Sequence, residues 1–284
     1  MGKIIDGNLI SAKVKDEVKN EVEKLKMKGI TPCLAVIIVG SDPASRVYVN
    51  NKKKACEYTG MKSLEFALPE ETSQEELLNL IDKLNEDKQV NGILCQLPLP
   101  KSIDEETVLN KIAPEKDIDA FHPLNVGHIM IGDAKLLPCT PAGVVEMLDY
   151  SNIDLKGKTC AIIGRSNIVG KPMAMLMVQR DATVTVCHSK TKNLSEITRN
   201  SDIIISSAGR KNLITADMVK DGAVVIDVSI NRDENGKLCG DVDYENVKEK
   251  ASYITPVPGG VGPMTISVLM KNTLMATKSQ NGEA

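Results

Sequence analysis

Leu34-Ala-Val-Ile-Ile-Val39 is an unbroken apolar run, and a strand of that kind cannot have a wet face. A strand half in water alternates apolar and polar residues. A continuous apolar strand must be covered on both sides, which is the condition of a parallel sheet sandwiched between helices. The flanking segments supply such helices. Upstream, Ile10, Val14, Val18, Val22 and Leu25 recur at helical spacing, and Gly29 marks a stop. Downstream, Ser41-Asp-Pro43 offers a cap and an N1 proline for a helix reaching about Gly60.

The alternation continues along the chain. Ser63 to Leu68 reads as a strand, Ser73 with Glu76 as a capping box for a helix carrying Leu77, Leu80, Ile81 and Leu84, and Gly92 to Leu97 as another strand. Thr140-Pro141 opens a helix ending near Tyr150. Strands follow at 159–163, 183–187, 202–206 and 223–228, with helical segments between the first three, and an apolar helix runs from Ile266 to about Met275. The pattern predicts an α/β chain with two doubly wound parallel sheets, one in each half. With no Trp and only two Phe, the cores are aliphatic.

A net charge of -3 with mixed signs argues against a nucleic-acid partner. Lys52-Lys53-Lys54 is the one notable basic run, and such runs are usually solvated helix faces. The seven cysteines form no C-x-x-C pair, which points to reduced thiols and a cytoplasmic home. The three histidines are dispersed, so no metal site is expected. No apolar run is long enough for a membrane span, and no signal core opens the chain.

In the second half, Thr159-Cys-Ala-Ile-Ile163 runs into Gly164-Arg-Ser-Asn-Ile-Val-Gly-Lys-Pro172 and then an apolar helix. A strand, a glycine turn and a helix start aim free N–H groups and a helix dipole at phosphate. Arg165 and Ser166 make it differ from Gly-x-Gly-x-x-Gly, so the turn alone is equally consistent with plain topology. Dinucleotide folds usually carry an acidic residue ~20 residues further on, bonded to the ribose 2′-hydroxyl. Here the second strand ends in His188-Ser-Lys190 without a carboxylate. Ser189, Lys190 and Arg165 suit a 2′-phosphate, favouring NADP over NAD. Gly209 and Ile230 lie at two later strand ends, where ligands bind in open α/β sheets; Ile230 reads either as a cofactor contact or as core packing.

In the first half, Tyr48 and Lys52 stand four apart on one helix face. A phenol can stack on a planar ring, and a lysine can donate, repel or exchange protons. Gln96 ends a strand before Leu97-Pro-Leu-Pro100 and reads either as a partner for a lysine or substrate or as a solvent-facing amide. Asp117 and Asp119 precede Phe121-His-Pro123. One carboxylate there can take two parallel N–H bonds from an amino-heterocycle, or cap a turn. His122 and His128 read as structural. The proline- and glycine-rich stretch Thr255 to Thr265 is too stiff for a linker and too long for a turn. It reads as backbone laid against a flat ligand or as an interdomain crossover.

Taken together, Tyr48-Val-x-x-Lys52, Gln96-Leu-Pro-Leu-Pro100, Asp117-Ile-Asp119, Pro138-Cys-Thr-Pro141, Gly164-Arg-Ser-x-x-Val-Gly-x-Pro172 and Pro258-Gly-Gly-Val-Gly-Pro-Met-Thr265 resemble the bifunctional methylenetetrahydrofolate dehydrogenase/methenyltetrahydrofolate cyclohydrolase family. The blocks fall in family order and span essentially the whole chain. The resemblance implies a folate-binding catalytic domain of residues 1–143 plus 266–284, a Rossmann-like NADP domain of residues 144–265, a cleft between them, and a homodimer. It implies Lys52 as the principal catalytic residue, Tyr48 stacking on the folate, and Gln96 tuning the protonation of Lys52. Asp119 is then the pterin anchor, Pro258, Gly259 and Gly260 lie along the folate, and Gly164, Arg165, Ser166, Ser189 and Ile230 hold the cofactor.

Two positions depart from the family pattern: Ala120 and Ser229 each stand where the family usually has glycine. A shikimate-type two-domain dehydrogenase is the alternative enzyme reading, and a folate- or nucleotide-sensing protein the non-enzyme one. The first leaves Tyr48, Gln96 and the 255–265 stretch without a purpose.

Overall fold

The computed structural model describes residues 2–283. In chain order the elements are β1 (Lys3–Ile4), α1 (Gly7–Met27), β2 (Cys33–Val39), α2 (Pro43–Thr59), β3 (Lys62–Leu68), α3 (Gln74–Glu86) and β4 (Gly92–Cys95). Two short helices, α4 (Glu105–Lys111) and α5 (Pro123–Ile131), lead to α6 (Cys139–Tyr150). Then come β5 (Thr159–Ile163), α7 (Gly170–Val178), β6 (Thr183–Cys187), α8 (Leu194–Arg199), β7 (Ile203–Ser206) and β8 (Val224–Asp227). The short β9 (Asn231–Arg232), β10 (Leu238–Cys239), α9 (Tyr244–Val247) and β11 (Tyr253–Ile254) precede α10 (Val261–Gln280).

The chain divides into two compact units, one joining Thr140–Thr265 to the residues up to Ser11, the other joining Ala12–Cys139 to the stretch from Ile266 onward. The latter holds a three-stranded parallel sheet in the order β3-β2-β4. Every residue of β2 is buried, as its unbroken apolar run requires. Its core joins Ile37 and Ile93 to Leu77, Ile81 and Leu84 of α3 and Val108 of α4. The capping box forms: Ser73 Oγ accepts from Glu76 N–H and Glu76 accepts from Ser73 N–H.

The other unit carries a six-stranded sheet in the order β1-β11-β8-β7-β5-β6, parallel throughout. Register pairs Ile163 with both Cys187 and Ser206, and Ser206 with Asp227. The carboxyl ends of four strands therefore finish in one row, and the loops leaving them share one edge.

Three features differ from the sequence expectation. The first residues, assigned by resemblance to the substrate domain, belong with the six-stranded sheet, because Lys3 and Ile4 pair with Tyr253 and Ile254. So short a strand carries too little pattern to be read. The last helix starts at Val261, inside the proline–glycine stretch, since Pro263 falls in its first turn, where a missing N–H costs nothing. β4 stops at Cys95 rather than Leu97: Gln96 N–H still donates to Ile37 O at 2.8 Å, but Pro98 offers no donor to carry the ladder on.

Candidate functional site

α2 is fixed at both ends. Asp42 accepts from Ser45 N–H at 2.7 Å, Pro43 opens the first turn, and Gly60 closes the helix in the left-handed conformation. Tyr48, Lys52 and Cys56 follow at four-residue steps, and their exposure falls from 43 % through 9 % to 0 %. The stripe thus runs from solvent into the core with the lysine at the threshold. Lys52 Nζ donates to Gln96 Oε1 at 2.8 Å, and Gln96 Nε2 donates to Leu97 O at 2.6 Å, which fixes the amide's orientation. The solvent-facing alternative for Gln96 is excluded. Burial lowers the proton affinity of Lys52, and the charge of Asp119 partly restores it.

The two aspartates separate by role. Asp117 is buried, accepts from His122 N–H at 2.8 Å and Asn125 Nδ2 at 3.0 Å, and is pushed up to about 6 by burial. It caps the turn. Asp119 keeps part of its surface open, with its carboxyl raised by burial and held back by Lys52 and the Cys139 thiol. Between them Ile118 is clamped, its carbonyl accepting from Asn272 Nδ2 at 2.7 Å. Ala120, one of the two departures, adopts φ 56°. That left-handed conformation costs an alanine about 1 kcal/mol, yet the turn is kept. His122 caps α5 by accepting from Leu124 N–H at 3.1 Å, and His128 pairs with Asp133; both are structural.

Sequence reasoning gave no role to Cys139 or Asn272. Cys139 is buried beside Asp119 and Lys52, with its thiol raised well above its ordinary value by burial. Its signal was its place in the Pro138-Cys-Thr-Pro141 block. Asn272 had none, since only the fold brings it to Ile118.

At the carboxyl edge of the six-stranded sheet, β5 runs straight into Gly164, which adopts φ 135°. A Cβ there would lie 2.4 Å from Ser207 Oγ, and one on Gly170 would lie 2.3 Å from Gly164 O. The turn is therefore compressed against its own backbone, the close strand–helix packing that a dinucleotide turn requires. Ser166 Oγ accepts from Val169 N–H at 3.2 Å and Gly170 N–H at 3.4 Å, shaping the start of α7. On the adjacent strand end, Ser189 and Lys190 are exposed, as is Arg165. Neither Arg165 nor Lys190 forms an ion pair among the described residues. Unpaired cations beside a glycine cradle fit a phosphorylated dinucleotide. Ile230 is 47 % exposed, so it is a surface residue and not core packing.

Pro258 is exposed, whereas Gly260 is buried against the chain itself: a Cβ on Gly7 would stand 1.7 Å from Gly260 O. Gly7 N–H also donates to Gly259 O at 2.9 Å. The glycines of this stretch thus serve a backbone-to-backbone seam as well as any ligand.

A parallel sheet with a compressed glycine turn and bare cations at the next strand end defines the nucleotide-binding half of an NAD(P)-linked oxidoreductase. The other unit brings a lysine, an amide and a carboxylate together. The tetrahydrofolate dehydrogenase/cyclohydrolase catalytic domain matches residues 5–119, and the NAD(P)-binding domain of the same family matches residues 138–281. The bifunctional protein FolD of Agathobacter rectalis is 61 % identical over 278 residues, covering 98 % of this chain and 100 % of the relative. The crystal structure of the bifunctional FolD methylenetetrahydrofolate dehydrogenase/cyclohydrolase from Campylobacter jejuni superposes with a TM-score of 0.96 at 54 % identity, covering 98 % of this chain and 99 % of that one. The Trypanosoma brucei enzyme, solved with NADP cofactor and inhibitor, superposes with a TM-score of 0.95 at 40 % identity, covering 100 % and 99 %. The chain belongs to the tetrahydrofolate dehydrogenase/cyclohydrolase family.

Proposed function

We propose that Lys52, Gln96, Tyr48 and Asp119 carry out the two reactions of this family: oxidation of 5,10-methylenetetrahydrofolate to the 5,10-methenyl form, then hydrolysis to 10-formyltetrahydrofolate. The observation that carries the assignment is the Lys52–Gln96 hydrogen bond of 2.8 Å at a nearly buried lysine. Bound NADP+ supplies the hydride acceptor for the first step. That step needs alignment and no general base. Tyr48, exposed one turn before Lys52, offers a ring face for the folate. Asp119 accepts the amino edge of the pterin.

Hydrolysis is where Lys52 works. Water adds to the cationic methenyl carbon, and one carbon–nitrogen bond of the ring must break while a proton moves to the departing nitrogen. A lysine with lowered proton affinity, aimed by Gln96, can move that proton and donate to the developing oxygen. Gly164, Arg165, Ser166, Ser189 and Ile230 hold the nucleotide, with Arg165 and Ser189 at the 2′-phosphate. Pro258 and Gly259 meet the folate, and Gly260 supports them from beneath.

The protein acts as a cytoplasmic homodimer. Its seven free cysteines, six of them buried, suit a reducing compartment, and the exposed edge strand β6 is open to pairing with a second copy. The function is tested by mixing the purified chain with methylenetetrahydrofolate and either NADP+ or NAD+, following reduced nicotinamide and methenyl absorbance. Turnover with NADP+ preferred is expected; no turnover with either nucleotide overturns it.

A further inference from the structure

Beneath the carboxyl edge of the six-stranded sheet lies a carboxylate that the chemistry above does not use. Asp241 is 0 % exposed and has no cationic partner among the described residues. An uncompensated buried carboxylate costs several kcal/mol unless hydrogen bonds replace its water. Five do. Its Oδ2 accepts from Ser206 Oγ at 2.8 Å, Ala208 N–H at 2.7 Å and Ser229 Oγ at 2.8 Å. Its Oδ1 accepts from Arg210 N–H at 2.7 Å and Asn231 Nδ2 at 3.0 Å.

The five donors come from the carboxyl ends of two neighbouring strands: Ser206 closes β7, Ala208 and Arg210 lie in the loop leaving it, Ser229 lies in the loop leaving β8, and Asn231 opens β9 just after that loop. Ser229 ties them further, because its Oγ also accepts from Gly209 N–H at 3.1 Å. A second buried carboxylate, Asp227, holds the same turn by accepting from Ser229 N–H at 3.2 Å while binding Val242 N–H at 2.8 Å.

The placement of these loops gives the clamp its meaning. In a dinucleotide-binding sheet the first glycine turn takes the pyrophosphate, and the tip of the next strand takes the adenosine ribose. Here those are the Gly164 turn and the end of β6. The remaining half of the dinucleotide then falls on the opposite flank, over the ends of β7 and β8, where Ile230 stands exposed. We propose that Asp241 is a positioning residue for the nicotinamide half of the cofactor, clamping the β7 and β8 loops so that Ile230 and the Ala208–Gly209 backbone form the surface the ring meets. The inference rests on the NADP reading above.

Because a backbone N–H, which can only donate, faces each oxygen (Ala208 N–H on Oδ2 and Arg210 N–H on Oδ1), Asp241→Asn has no amide orientation that avoids a donor–donor contact. The test is equilibrium titration of wild type, Asp241→Asn and Ser229→Ala with NADP+ and, separately, with 2′,5′-ADP, which lacks the nicotinamide half. For Asp241→Asn the NADP+ dissociation constant is expected to rise about tenfold, one charge-assisted hydrogen bond's worth, with 2′,5′-ADP binding unchanged. Ser229→Ala, which removes one bond and keeps the fold should Asp241→Asn lose it, is expected to weaken NADP+ about threefold with the same selectivity. Equal weakening of both ligands overturns the proposal in favour of a merely structural carboxylate. Unchanged NADP+ binding in a folded Asp241→Asn or Ser229→Ala protein overturns it as well. Wild type that binds neither ligand overturns the NADP reading itself.

Discussion

Gln96→Leu tests the central pair most directly. Leucine nearly preserves the side chain's bulk but deletes the acceptor 2.8 Å from Lys52 Nζ and the donor that Leu97 O receives at 2.6 Å. Lys52 is then left nearly buried with one hydrogen bond fewer. A hydrogen bond to a charged group contributes about 1.5–3 kcal/mol, and each 1.4 kcal/mol is a factor of about ten in rate. Cyclohydrolase activity is therefore expected to fall about 10- to 100-fold. Oxidation, which asks for no proton transfer, should fall less. The charged lysine is also destabilised relative to the neutral one, so the pH limb set by Lys52 moves down. Gln96→Glu places a carboxylate at the same spot and moves that limb up. The assay is loss of methenyltetrahydrofolate absorbance across pH with no nicotinamide nucleotide present. If Gln96→Leu hydrolyses within twofold of wild type, or if the two variants shift the limb in the same direction, the coupling of Gln96 to Lys52 is wrong.

Three further outcomes follow from the nucleotide-binding unit. Gly170→Ala drives a methyl to 2.3 Å from Gly164 O; overpacking of about 1–3 kcal/mol should lower the melting temperature by about 5 °C and weaken NADP+, both readable by thermal shift with and without nucleotide. Arg165→Ala should weaken NADP+ more than NAD+ in paired titrations, and equal losses would refute the 2′-phosphate assignment. Asp202 is held well below the ordinary aspartate range by its ion pair with Lys220 (2.5 Å) and by Thr159 N–H at 2.8 Å. A depressed carboxyl contributes stability above its unfolded value and loses it as pH falls. Asp202→Asn should accordingly cost about 1 kcal/mol in urea unfolding at neutral pH, and the difference should vanish in strong acid; a penalty independent of pH contradicts the assignment.

The parts of this fold that the sequence made legible are those with long or redundant signals. β2 announced itself by burial on both faces, α1 by five apolar residues in register, and α3 by its capping box. β1, β11 and the β9–β10 ladder are two residues per strand, too short for any period to register. At the site, Tyr48 and Lys52 were legible because one helix face holds both. Which aspartate served the turn was not, since both suit a cap; only the His122 and Asn125 bonds single out Asp117. Asp241 was invisible for a different reason. A carboxylate in a polar stretch reads as a surface residue, and its five donors come from segments at the ends of β7 and β8 that are brought together only by the order of the strands.

The seam between Gly7 and Gly260, and the pairing of β1 with β11, bear on how the chain is made. The first strand waits for a partner some 250 residues later, and the unit around Lys52 waits for α10, whose Asn272 and Gln280 bind Ile118 O and Asn91 O. The six-stranded unit cannot close before β11 is made, nor the unit around Lys52 before the final helix emerges. Contacts this distant in sequence make folding slow and cooperative. A nascent chain therefore has no finished first domain to shelter in until nearly its whole length has been made.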